Sequence, residues 1–284
     1  MLKYTGIAGL LAAAMAFASP AAAADPQLHG FATVWGKTDY ITPRGLHVHE
    51  DGSAVQLLSG LVVAFPGDSD DFVTGGALFG TLWADFNPGY KPPNTQSFNE
   101  FDWSIGGSVT IRNNWKVGVE YVQFISAPGA FDTEKNLEFS LAYSDNLKPV
   151  SINPYVKVFY AMDGDSTVVV GQRGDTYDVE IGATPTIDLK DHGLPVVISA
   201  PTWITVGPKE FWGGGGNAGV FSTGVKVSYP FTKIPASAGS WSLFAGYQYY
   251  HLINDRLVLA QSILNPGDTD KNVHLLQVGV SMGF

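Results

Sequence analysis

Asp85, Glu100, Asp102, Glu120, Glu138, Asp178 and Glu180, together with Lys116, Lys157 and Lys226, are the side chains best spaced to act on a solute. Each falls on the polar parity of a stretch that alternates polar and apolar residues. Ranged along one inner wall as pore-lining groups, acids in excess of bases create a negative potential that concentrates cations. The same groups could instead pair across a narrow interior and stabilise it. With a hairpin centred between Met162 and Thr176, Lys157 falls opposite Glu180, and across the preceding turn it lies near Glu138. A Glu138–Lys157–Glu180 ladder then crosses three adjacent strands, a spacing at which opposite charges help one another.

Other chemistry finds less support. A hydrolase carried on a strand needs its nucleophile and base on one face, which His and Ser two apart on one strand would provide. None of His29, His47, His49, His192, His251 and His274 is followed by Ser at that spacing, and His251 and His274 fall on the apolar parity of their strands. There is no cysteine, so thiolate ligands, disulfides and a Cys nucleophile are excluded. His47-Val48-His49-Glu50-Asp51 could turn two imidazoles toward one ion but has no identifiable third ligand. Gly67-Asp68-Ser69-Asp70-Asp71 matches only a fragment of a calcium loop, and Gly213–Gly216 lacks the strand–helix context of a phosphate cradle. The expectation is no catalytic residue, no metal and no cofactor.

These charges need strands to position them, and alternation supplies the strands. Expected strands run Leu28–Ile41, Ala54–Phe65, Gly76–Phe86, Ser97–Arg112, Trp115–Ser126 and Lys135–Ser144. They continue as Tyr155–Met162, Thr176–Leu189, Pro195–Val206, Gly219–Phe231, Ser240–Leu252 and Asn272–Phe284. In the fourth, Phe101, Trp103, Ile105, Val109 and Ile111 oppose Glu100, Asp102, Ser104, Ser108 and Thr110. In the seventh, Val156, Val158 and Tyr160 oppose Tyr155, Lys157 and Phe159. Trp115, Tyr143, Tyr229, Trp241 and Tyr249 stand near strand ends, as interfacial rings do. Asn113-Asn114 and Lys190-Asp191-His192-Gly193 read as tight turns. The turns at Pro66–Gly75 and Asp145–Pro154 are long for that side, and the longest opposite loop is Ile253–Lys271.

The segment Met1–Ala24 reads as a cleaved secretory signal peptide. Lys3 supplies the positive region, Ile7–Ala18 the apolar region, and Ala22-Ala23-Ala24 the cleavage site. Its apolar run is shorter than the ~20 residues of a spanning helix, and Ser19-Pro20 interrupts it. Charged residues make up 15 % of the chain, below the roughly 25 % usual in soluble domains. Glycine (33) and aromatic residues (13 %) are abundant, and mean hydropathy is +0.08. The formal charge of −10 becomes one unit more negative with loss of Lys3, which excludes a nucleic-acid partner.

At the other end, Leu276, Val278, Val280 and Met282 alternate with small or polar residues up to Phe284. A strand that ends on an aromatic carboxyl-terminal residue, behind an export leader and a series of alternating strands, resembles the closing strand of Gram-negative outer-membrane β-barrels. The resemblance spans the mature chain. Strands Asn99–Ile111, Trp115–Phe124 and Lys135–Tyr143 also resemble a widespread, functionally uncharacterised proteobacterial barrel family, from which no functional residue carries over. The reading is an all-β chain: a signal peptide (1–24) and a single antiparallel transmembrane β-barrel (25–284) of about twelve strands, with ten or fourteen as neighbouring counts. The resemblance implies residence in the outer membrane and contact with its lipid and lipopolysaccharide. It also implies an insertion machinery that reads Phe284, Met282 and Val280. The expected function is a pore for small polar solutes with weak cation preference; the alternative is a closed barrel acting through its outer loops. Phe284→Asp is expected to lower the yield of folded barrel in outer-membrane fractions, read by heat-modifiable gel mobility. Unchanged yield and mobility would remove the assembly role of the terminal ring.

Overall fold

The computed structural model describes residues 25–50, 52–88, 97–145, 147–163 and 176–284. The leader expected at Met1–Ala24, and most of the connections expected at 87–96 and 163–175, lie outside these residues. In chain order the strands are β1 (Gln27–Lys37), β2 (Tyr40–Ile41), β3 (His47–His49), β4 (Ala54–Pro66), β5 (Val73–Phe86), β6 (Phe98–Ile111), β7 (Trp115–Ser126) and β8 (Glu134–Tyr143). There follow β9 (Pro154–Asp163), β10 (Thr176–Ala183), β11 (Thr186–Asp188), β12 (Val197–Ser199), β13 (Thr202–Val206), β14 (Ala218–Pro230), β15 (Ser240–Leu252) and β16 (Asn272–Gly283).

All but β2 and β3 join into one closed antiparallel barrel of twelve staves. β10 with β11, and β12 with β13, each make one stave, and the expected twelve strands correspond to the twelve staves. Pro185 and Pro201 interrupt the two composite staves because proline offers no N–H. The ladder is carried past them by Ala200 N–H donating to the Pro185 carbonyl (2.8 Å) and Gly224 N–H donating to the Pro201 carbonyl (3.1 Å). β1 and β16 close the ring, from Phe31 opposite Gly283 to Lys37 opposite Gln277. Closure leaves no unpaired edge, which lipid demands because it cannot satisfy backbone groups.

Parity sorts the two faces. Val34, Leu61, Leu78, Ile105, Phe139, Ile181 and Leu276 are exposed on the outer wall. Aromatic pairs stand at both rims. Trp115 and Tyr143 (centroids 4.8 Å apart) and Tyr229 and Phe231 (6.1 Å) lie at the end holding the chain termini. Phe86 and Phe98 (5.1 Å) and Tyr249 and His274 (5.4 Å) lie at the distal end. Such girdles mark the two interfaces of a membrane. Phe284 lies on the outer face, its backbone N–H and C=O both bonded to Gly30 at 2.9 Å. Its ring covers Gly30 so closely that a side chain at that position would collide with it.

The two long turns at the terminal end are built, not loose. Asp68 accepts the Asp70 N–H (3.0 Å), and Phe72 C=O accepts the Arg112 N–H of the neighbouring turn (3.0 Å). Asp145 accepts N–H bonds from Leu147 (3.1 Å), Ile152 (2.7 Å) and Asn153 (2.9 Å). The Asn153 bond chiefly holds its carboxyl below the usual range. At the distal end the expected strand Leu28–Ile41 breaks. Thr38 makes the last backbone bond to the barrel ladder, N–H to the Leu276 carbonyl at 3.1 Å, and the chain then turns inward. The expected loop Ile253–Lys271 contains a helix, α1 (Asp255–Leu264), capped by the Asn254 side chain on Arg256 N–H (2.9 Å).

Parity makes a direct prediction. Val158 is on the outer face and half-buried, whereas Lys157 is buried on the inner one. Val158→Arg is expected to destabilise the barrel in lipid vesicles by about 2–4 kcal/mol, the cost of arginine near mid-membrane. Lys157→Gln should leave membrane insertion intact. Denaturant unfolding measures both, and the reverse order of effects would shift the register of β9 by one residue.

Candidate functional site

Inner parity gathers most of the expected charges. Asp85, Glu100, Asp102, Lys116, Glu120, Glu138, Lys157, Asp178 and Glu180 are all buried, while Lys226 is half-buried, its ammonium 4.1 Å from the centre of the Phe244 ring. Lys157 stands directly opposite Glu180 on β10, with Nζ 3.9 Å from Oε1. Glu180 also accepts a hydrogen bond from the Tyr155 hydroxyl at 2.8 Å. On the other side Lys157 faces Ser140, so the expected ladder reaches Glu138 diagonally. Glu138 instead stands opposite Phe159 and, on β7, opposite Glu120. Like charges placed so repel each other. Lys157 lies in the field of Glu180, Glu138, Glu120 and Asp178 together and offsets that repulsion.

What the sequence reading did not find is the object these charges face. β2 and β3 form a separate hairpin, Tyr40 opposite His49 and Ile41 opposite His47, which folds into the distal lumen. Tyr40 to Gly45 are all buried. Gly45 (φ +93°) makes the bend at its tip, where Leu257 and Val220 leave no room for a side chain. Trp203 donates its indole N–H to the Pro43 carbonyl (3.3 Å). Arg44, only 4 % exposed, projects from the tip with its guanidinium 3.8 Å from the centre of the Phe159 ring, 5.3 Å from Phe124 and 5.9 Å from Phe211.

The hairpin is latched on several sides. The Tyr40 hydroxyl donates to Glu100 Oε2 at 2.7 Å. His49 Nε2 lies 2.6 Å from Asn87 Oδ1, and Asn87 Nδ2 donates to Asp85 Oδ2 at 2.9 Å. Gln56 Nε2 donates to the other Asp85 oxygen (2.8 Å), and Gln56 Oε1 accepts from the Trp35 indole N–H (3.1 Å). Asp102 accepts the Ile125 N–H at 3.1 Å. Asp85, Glu100 and Asp102 therefore hold the hairpin and its frame, a role the alternation could not reveal. His47 Nδ1 is 3.1 Å from Gln261 Oε1 on α1, and Asn265 Nδ2 donates to the His47 carbonyl (3.1 Å). Both histidines of the His47–Asp51 motif thus face inward. Among the described residues no group of three or more His, Asp or Glu is arranged to hold a metal.

Around the hairpin the distal lumen is filled. Trp35, Trp83, Phe124, Trp203, Phe211, Trp212, Leu257 and Leu275 pack into one buried cluster with Tyr40 and Ile41. Below it, among Ser108, Glu120, Glu138, Ser140 and Lys157, the free space is ≈ 10 Å³, room for about one water. Toward the terminal end, inner residues such as Thr33, Thr81, Ser281 and Lys226 are only half-buried. Among the described residues the inner wall is packed most tightly around the hairpin.

Known structures share this architecture. An outer membrane channel from Pseudomonas putida F1 matches with a TM-score of 0.50 at 12 % identity, over 94 % of this chain and 100 % of that one. The NanC porin matches at 0.49 and 11 % identity (88 % and 98 % covered), and the KdgM porin at 0.47 and 9 % (89 % and 99 %). No family model and no curated protein matches the sequence. The fold is that of the outer-membrane barrel class.

Removing the Tyr40 hydroxyl should test the latch. In Tyr40→Phe, Glu100 loses its donor in a buried place, a loss of about 1.5–3 kcal/mol for a bond to a charged group. Hydrogen exchange at amides 40–49 is expected to speed up while that of the staves stays unchanged. Equal acceleration across the staves would mean that hairpin and barrel open as one unit.

Proposed function

We propose that this chain is an outer-membrane channel for small polar solutes, its outward mouth closed at rest by the Tyr40–His49 hairpin and its inner wall biased toward cations. The observation that carries this reading is the band of Glu120, Glu138, Lys157, Asp178 and Glu180 beneath the hairpin. A lumen that served only as packing would be filled at lower cost by apolar side chains, since buried ion pairs rarely outweigh their desolvation. A band of charge retained behind a removable plug suits passage instead. Lys37 and Arg44, both buried inside, offset part of the acidic excess and keep the preference weak.

The second reading, a closed structural barrel, is favoured by the aromatic seal itself. Planar-bilayer recording separates the two. The unaltered protein is expected to conduct poorly. A variant lacking residues 39–50, its ends joined by a short glycine–serine link, should conduct several-fold more. Reversal potentials in asymmetric KCl should show cation preference, greatest at low salt where screening is weak. Glu120→Gln with Glu138→Gln in that background should reduce it. A folded, inserted variant that carries no current would favour the closed barrel.

A further inference from the structure

The plug's tip suggests what passes. The guanidinium of Arg44 sits in a three-sided aromatic box of Phe124 (β7), Phe159 (β9) and Phe211, contributed by two staves and the 3₁₀ turn Lys209–Trp212. All three rings lie within the ~6 Å over which a cation is drawn to an aromatic face, an attraction that strengthens when water is excluded. Phe124 and Phe159 stack at 5.9 Å with 10° between planes, and Phe211 meets Phe159 edge-on at 6.2 Å, so the rings brace one another as well as the cation. Asp178 and Glu180, on the adjoining stave, act electrostatically on Arg44. Asp178 Oδ1 is buried and has no hydrogen-bond partner among the described residues. A carboxylate oxygen left without a donor beside an aromatic box is one more acceptor than Arg44 uses.

We propose that this box is the receiving site for a solute bearing a guanidinium or primary alkylammonium group, and that Arg44 is its resident occupant. Such a solute offers the same flat or compact cation to the rings and a further N–H to Asp178. It competes with Arg44 for the box, and loss of Arg44 from the box frees the hairpin tip. The site thus couples recognition of a cationic solute to opening of the mouth. This deepens the channel reading and rests on it for the route the solute takes, while the binding itself is measured without any current.

Agmatine, with a guanidinium at one end and an ammonium at the other, is a suitable probe. Calorimetric titration into folded protein in detergent should show tight binding to Arg44→Ala, whose box is vacated. Binding should be at least about tenfold weaker to the unaltered chain, where Arg44 competes, and to Arg44→Ala/Phe159→Ala, where the nearest ring is gone. Asp178→Asn in the Arg44→Ala background should also weaken it, and glutamate should not bind. Equal agmatine affinity in Arg44→Ala and Arg44→Ala/Phe159→Ala would overturn the site. If Arg44→Ala does not reach the heat-modifiable folded form, the unaltered chain still serves. Millimolar agmatine is then expected to accelerate hydrogen exchange at amides 40–49, and no acceleration would overturn the proposal. Binding in a barrel that never conducts would uphold the site and end the channel reading. Current from the hairpin-deleted barrel without agmatine binding to Arg44→Ala would do the opposite.

Discussion

Pairing of β1 with β16 is the constraint from which the rest follows. In lipid every backbone N–H and C=O needs a partner within the protein, so the sheet must close on itself. Closure fixes the number of staves, and the number of staves fixes the bore. In an eight-stranded barrel the wall's own side chains fill the interior; with twelve staves they do not reach across. A lumen of this size must hold water, open to a channel, or borrow material from its loops. Among the described residues this chain borrows at the distal end. The hairpin Tyr40–His49, the turn Lys209–Trp212 and helix α1 bring Tyr40, Ile41, Phe211, Trp212 and Leu257 inside the distal half.

Borrowed material has to be reconciled with a polar wall. A hairpin inserted among carboxylates must satisfy them or repel them, and this one satisfies them by position. Tyr40 meets Glu100, and His49 meets Asn87, itself bonded to Asp85. Asp85 has donors on both oxygens from Gln56, Asn87 and Asn99 and therefore needs no mobile counterion. Arg44 gives up water for aromatic faces and the field of Asp178 and Glu180. The expected inner-wall carboxylates divide into two groups. Those of β5 and β6 brace the plug, and those of β7 to β10 form the band beneath it.

Local pattern reached the staves because their signal is local. A period of two in Glu100–Ile111 or Tyr155–Met162 sets the face of every residue whatever lies opposite, and twelve such stretches sufficed to count the barrel. The Lys157–Glu180 pair was legible because the register of one hairpin follows from its centre. Lys157 and Glu138 came out diagonal because the turn anchored by Asp145 sets the β8–β9 register, with a bulge at Lys135–Asn136. The plug was not legible at all. Pro43 meets Trp203 and His47 meets Gln261 across 160 and 214 residues of sequence, and nothing periodic announces such contacts. Only α1 left a trace, in Asn254-Asp255 as a helix start ahead of Leu257, Ala260 and Leu264.

The way the hairpin is attached bears on whether it is wall or gate. β2 and β3 bond to each other and form no ladder with any stave, so the hairpin can leave the lumen without breaking the backbone ladder between staves. What holds it is side chains: Tyr40, Arg44, His47 and His49, and the burial of Ile41. Local opening is governed by the contacts of the opening unit alone, and a barrel held by continuous ladders does not share in it. An element meant only to stiffen the barrel would gain most by joining its sheet. On the proposed reading, one that is sealed in by side chains, independent of the ladder and seated over a charged band is built to be displaced, and the displacing agent is a cation that takes the place of Arg44.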